Sequence, residues 1–297
     1  MPHPTQPVWF IADATTGLAA ALAEAVLASG QCAVLAAPAP HALQTLVDRH
    51  PERALALALD VTDTAGIDAA VRAAEGRFGR IDVLVSSAVQ RYPGAIEEGE
   101  DGAMRALFDG NVFGPINLAR RVLPGMRARR AGHVVMLARA AVQAPAFDGF
   151  GHAARSALEA LAEALFYEVE PLGIGVTLVD PGSGDEADTP APRAAGIADY
   201  ESLAGRAARS AASGQVDAAR GALAIMQAVA AGRGPLRLVL GRAALQRAYD
   251  RLRVLKVGFD AWADLAASAD VPAPSRPAFP PPGHGGRARR VRSGAGR

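Results

Sequence analysis

Seven short apolar runs recur along the chain, at residues 8–12, 32–36, 54–59, 81–85, 133–137, 175–179 and 236–240, each followed by a stretch of helical spacing. Runs this short, rich in Val, Ile, Leu and Ala, suit strands buried on both faces. The segments at 17–29, 42–49, 64–78, 103–130, 153–165, 216–230 and 243–265 predict helices. Ile67, Val71 and Ala74 share one helical stripe, and Leu158, Leu161 and Leu165 another. Gly110, Gly114 and Pro115 mark a bend inside the fourth helical region. Strands alternating with helices imply an α/β fold, a doubly wound and mainly parallel sheet of about seven strands with helices on both faces. Such a fold places its chemistry at the carboxyl ends of the strands. The stretch from His133 to Glu159, a strand, a loop and then a helix, is therefore the first place to look.

Net charge is +1, so no global field selects nucleic acid or a membrane, and neither partner is expected. Cys32 is the single cysteine, which excludes an internal disulfide and fits a cytoplasmic protein; it is expected to be packed rather than reactive. The opening MPHPTQP has no basic region followed by a long apolar run, so no signal peptide is expected. Residues 183–213 are polar, Ala-rich and weakly patterned, and are expected to be mobile with some helix. The folded domain is expected over residues 1–269. Residues 270–297, rich in Pro, Gly and Arg, are expected to be a disordered tail. That tail is either simply solvated or a basic arm for an acidic partner, and the solvated reading is preferred because charge runs usually face water.

Several blocks carry a family resemblance: Asp60-Val61 after the third strand, GRIDVLVSSAV at 79–89, Asn111 in NVFG, and LGIGVTLVDPG at 172–182. Together they resemble the short-chain dehydrogenase/reductase family over roughly residues 8–260. The resemblance implies a Rossmann-like domain, an NAD(P) cofactor and carbonyl chemistry. It also implies cofactor contacts at Gly17, Asp60, Val61, Ser86, Ala88, Pro181 and Gly182, and a relay water held by Asn111. No metal is implied.

The same register exposes departures. The family's Thr-Gly-x-x-x-Gly-x-Gly turn lets the backbone approach a pyrophosphate at a helix N-terminus. Here it reads Ala12-Asp13-Ala14-Thr15-Thr16-Gly17-Leu18-Ala19, and only Gly17 is kept. A carboxylate at Asp13 facing phosphate at ~4 Å costs ~4 kcal/mol at an effective dielectric of ~20. Alternatively Asp13 accepts the loop N–H groups and fills the anion site from within. No charge follows the second strand, where the family sorts NADP from NAD. The family's Asn-Asn-Ala-Gly is Ser86-Ser87-Ala88-Val89, and a threonine position after Pro181-Gly182 is Glu186. The register puts Ala138, Gly151 and Arg155 at the family's catalytic Ser, Tyr and Lys. A slip does not restore the pair, since Lys256 is the only lysine and Leu252 stands four residues before it.

These departures predict a protein that is not a conventional carbonyl reductase, with NAD(P) binding weak or absent. Its role would be non-redox, as a homo-oligomer or as partner of an active relative through helices 111–130 and 151–171. The sequence does not say which stripes of those helices face the core. A divergent NAD(P)-dependent oxidoreductase is the first alternative. The second is a cyclase or dehydratase acting on a small molecule, with Asp148 orienting His152 as an acid or base and Arg139 and Arg155 nearby. For His152, Arg139, Arg155 and Tyr92 a surface position is the preferred expectation.

Overall fold

The structure is a computed structural model, and the residues it describes are 6–15, 17–88, 90, 92–138, 148–182, 196–200, 216–232 and 234–271. Seven strands are present: β1 (Val8–Ala12), β2 (Cys32–Ala37), β3 (Ala54–Ala58), β4 (Val83–Ala88), β5 (Gly132–Ala138), β6 (Ile174–Asp180) and β7 (Arg237–Val239). They form one sheet in the order β3-β2-β1-β4-β5-β6-β7. Every pairing is parallel. Chain direction across the sheet reverses between β1 and β4, so their carboxyl ends open the crevice where such sheets bind ligands.

The helices are α1 (Gly17–Ala28), α2 (Gln44–Arg49), α3 (Thr64–Phe78), α4 (Asp101–Phe108), α5 (Gly114–Arg129), α6 (Gly149–Val169), α7 (Ala218–Ala230), α8 (Arg242–Ala261) and α9 (Ala263–Ala267). Two starts have clear local causes. Asp63 accepts the Ala65 N–H ahead of α3, and Asp217 accepts the Arg220 N–H ahead of α7. The strand period of two then divides the core. Val8, Phe10 and Ala12 pack with Ile67, Val71, Leu118 and Met126 on one face. Trp9 and Ile11 pack with Leu22, Val26 and Ile225 on the other. Cys32 is buried in the first of these cores.

The expected bend in the fourth helical region is a π turn, Asp109–Phe113, between α4 and α5. β4 begins later than its apolar run, because Ile81 is buried in the core ahead of the ladder, and it continues through Ser86 and Ser87. α6 starts at Gly149 rather than near 153, since its two early glycines are helical and not part of the loop. The open question about stripes is answered. Leu118, Val122 and Met126 face the core, as do Leu158 and, in part, Leu165, whereas Leu161 is 40% exposed.

Contacts divide the chain into residues 1–253, which hold the whole sheet, and residues 254–297, of which the end of α8 and α9 are described. The expectations for residues 183–195, 201–215 and 272–297 lie outside the described residues, as do those for Arg139 and Glu186.

Candidate functional site

β1 delivers the chain into a tight turn before α1. Asp13 there has φ 61° and Gly17 φ 56°, both left-handed. Glycine enters that region without strain, whereas an aspartate does so at a cost. The Asp13 carboxyl is pushed above its ordinary value by burial. No hydrogen bond to it is made among the described residues, and Thr16 of the same turn lies outside them.

Next along the same sheet edge, Asp60 follows β3. Its Oδ1 accepts the Thr62 N–H at 2.8 Å and the Thr62 hydroxyl at 2.7 Å. Those two bonds hold its carboxyl below the ordinary value. Asp60 is exposed, so its other oxygen remains available to a ligand hydroxyl. Val61 packs into the side of α5, where a Cβ at Gly114 would come within 2.7 Å of it. Ser86 is 2% exposed, and its hydroxyl is buried without a partner among the described residues. Ala88 closes β4 opposite Ala138 of β5. After β6, Asp180 Oδ1 accepts the Gly182 N–H at 2.9 Å. Gly182 has φ 72°, and a Cβ on it would stand 2.8 Å from the Leu240 carbonyl oxygen, so Pro181-Gly182 is a turn that only glycine fits.

Asn111 sits in the π turn, 2% exposed. Its Oδ1 accepts the Gln90 N–H at 3.0 Å, and its Nδ2 donates to the Gln90 carbonyl at 2.8 Å. The side chain is thereby pinned to the loop after β4.

The start of α6 differs most from expectation. Asp148 does not orient His152. Its Oδ2 accepts from Arg155 Nη2 at 2.7 Å, in an ion pair whose side chains are 8% and 10% exposed. Oδ1 of Asp148 and Nδ1 of His152 are both buried without partners among the described residues. The physical reason is position. Asp148 is the residue before the helix, with φ −142° and ψ 41°, so its side chain does not follow the helical stripe it would share with His152. An isolated bridge with Gly94 fixes it there. The His152 imidazole is pushed below its ordinary value, by burial first and then by the cations Arg155 and Arg251. Arg155 is thus not a solvated surface cation.

Gly151 completes the arrangement. A Cβ on it would collide with Asp148 Oδ1 and lie 3.1 Å from Arg155 Nη1. The ion pair therefore occupies the space into which a side chain at 151 would grow. Tyr92 is also not a surface aromatic: it is 4% exposed, its hydroxyl accepts the Glu100 N–H at 2.9 Å, and its ring meets Phe150 edge-on at 6.0 Å. Gln90 and the pairing of Asp148 with Arg155 are what sequence reasoning missed, while Tyr92 was named there but expected at the surface. A single polar residue in an irregular loop gives no periodic signal, and a spacing of seven is not a helical pairing distance.

Residues 7–194 match the short chain dehydrogenase family. The chain belongs to that family. Among solved structures, a short-chain dehydrogenase from Streptomyces avermitilis superposes with a TM-score of 0.84 at 34% identity, covering 90% of this chain and 99% of that one. A metagenomic short-chain oxidoreductase in complex with NADP is 26% identical, with a TM-score of 0.56 over 60% of this chain and 82% of its own. Oxidoreductase BOA17 of Botryotinia fuckeliana is 27% identical over 88% of this chain and 98% of its own length. The seven-stranded sheet is that of a Rossmann-like short-chain dehydrogenase. Among the described residues no group of three or more His, Cys, Asp or Glu is placed to hold a metal.

Proposed function

We propose that this chain is a short-chain dehydrogenase relative that no longer carries out ordinary carbonyl reduction, and that it serves a non-redox role, alone or as partner subunit of an active relative. The observation that carries the reading is the buried Asp148–Arg155 pair closed against Gly151. In the family register Gly151 stands for the proton-donating Tyr, Arg155 for the Lys that tunes it, and Ala138 for the Ser that orients the carbonyl. An arginine already bonded to a carboxylate, with glycine at 151, has no phenol there to activate. Residues that act as a unit are grossly non-additive, so loss of the phenol alone removes most of the rate. At the other end, the carboxylate of Asp13 does not fit a pyrophosphate, and we assign weak or absent NAD(P) affinity to that turn. The exposed Leu161 of α6 and Phe113 beside α5 lie on the helices that form a dimer face in the family, which supports a partner-subunit role.

The test is turnover. NADH and NADPH consumption with a panel of aldehydes and ketones is expected at the background rate. Saturable turnover, lowered at least tenfold by Asn111→Ala, contradicts the proposal. It would favour the second reading, a divergent NAD(P)-dependent oxidoreductase. That reading rests on the left-handed Gly17, the exposed Asp60 and the Gly182 turn, all of which keep a shape that a dinucleotide uses.

A further inference from the structure

One cavity has no place in the dehydrogenase chemistry. A pocket of about 120 Å³ opens between α3 and α5, lined by Thr64, Ile67, Asn117, Arg120 and Arg121. Ile67 is wholly buried in the core and gives the pocket its apolar wall. The other four side chains all carry N–H or O–H donors, and no carboxylate is among the lining residues. The volume is far below the roughly 300–1,000 Å³ of sites for drug-sized ligands, so the pocket suits a group of a few heavy atoms.

Charge indicates which group. Residues 110–138 contain five arginines and no Asp or Glu, a local excess that the whole-chain value of +1 conceals. Arg129 donates to the Ile81 carbonyl at 2.7 Å and Arg130 to the Pro171 carbonyl at 2.8 Å. Arg121 pairs across the groove with Asp68 of α3 at 2.7 Å. Arg120 differs. It is exposed, meets no carboxylate among the described residues, and makes one long bond there, 3.3 Å to Asn117 Oδ1. A guanidinium offers five N–H donors in a planar fork, so Arg120 keeps most of its donors for a ligand. The start of α3 adds nothing, because Asp63 already accepts the Ala65 N–H at 3.0 Å. Guanidinia select oxyanions. Donors converging from two helices suit a tetrahedral phosphate, which accepts in several directions, better than a planar carboxylate.

We infer that the pocket between α3 and α5 binds a phosphate group, held chiefly by Arg120, with Arg121 as the second cation and Thr64 and Asn117 as further donors. Asp68 competes with that ligand for Arg121. None of these residues belongs to the strand ends or to the turn before α1, so the inference stands whether or not the dehydrogenase chemistry is retained.

Phosphorus NMR of the full chain tests it, with inorganic phosphate and glycerol phosphate as probes at fixed ionic strength. Each probe should give saturable line broadening. Arg120→Gln, an exposed position whose variant is checked for folding by circular dichroism, should weaken binding at least tenfold. Arg120→Lys, which keeps the charge but loses the fork, should weaken it by less. Asp68→Asn frees Arg121 and should tighten binding at least threefold, a gain that a damaged fold would not produce. Broadening by inorganic phosphate alone still supports the inference and assigns the free ion; broadening by both probes assigns a phosphate group with its ester carbon at the pocket mouth. Absence of saturable broadening overturns the inference. So does competition by acetate at the same concentration as phosphate, since charge alone is then at work. Broadening that survives Arg120→Gln but changes with Asp13→Gly also overturns it, because the phosphate then sits at the turn before α1.

Discussion

Replacing Asp13 with glycine removes two unfavourable features at once: a left-handed backbone angle on a residue with a Cβ, worth about 1–2 kcal/mol, and a carboxyl that burial already opposes. Asp13→Gly should therefore raise the melting temperature and also strengthen NAD(P) binding, read as a nucleotide-dependent thermal shift larger than that of the parent chain. Gly151→Tyr is expected to fail as a repair. Its Cβ collides with Asp148, and overpacking of this kind costs about 1–3 kcal/mol. The same substitution combined with Arg155→Lys should still give no carbonyl reduction, as measured by NADPH consumption, while the Asp148 carboxylate stays in place. Asp148→Ala leaves a buried guanidinium unpaired and should cost about 3–5 kcal/mol in urea unfolding. His133 supplies the pH dependence. It is buried and bonded to Thr177 at 2.9 Å, and burial lowers its pKa from 6.5 to about 4. The folded chain keeps the ring neutral while the unfolded chain protonates it below about 6.5. This contribution is full above that pH and is lost as pH falls toward 4, a total of about 3 kcal/mol. His133→Asn should flatten the slope of stability between those values. At this scale the sequence was an uneven guide. The identities at 13, 138, 151 and 155 were legible, but the Asp148–Arg155 pair was not, because it depends on the non-helical backbone of Asp148.

At the scale of elements, the strands and most helices were legible, since each had a single period to obey. β1 and α3 match their expected bounds, and the other strands shift at one or both ends. The π turn at Asp109–Phe113 was visible only as a bend, because Gly110 and Pro115 indicate a break without specifying its hydrogen bonds. That turn seats Asn111 against Gln90, so Asn111→Ala should loosen the loop after β4, detected as faster amide exchange at Gln90. The turn after β6 is a second element with one permitted residue. Gly182→Ala must strain a φ of 72° and crowd the Leu240 carbonyl. It should lower stability by about 1 kcal/mol or more, with the unfolding slope unchanged.

For the molecule as a whole, ordered blocks across the chain carried the family resemblance, and the parallel sheet and the match over residues 7–194 bear it out. The tight first turn, the Asp60 strand end and the Gly182 turn keep a dehydrogenase frame; under the proposed function, Asp13 and the Asp148–Arg155 pair take the places of its cofactor and proton donor. Nucleotide binding separates these two descriptions most directly. A ligand at a hundred times its dissociation constant adds about 2.7 kcal/mol to stability, which for a domain of this size is several degrees, roughly 5 or more. The decisive measurement is a thermal-shift titration of the full chain with NADH and NADPH. No shift at millimolar nucleotide is the predicted result; a saturable rise of several degrees with either one would contradict the assignment of a site that has lost its cofactor.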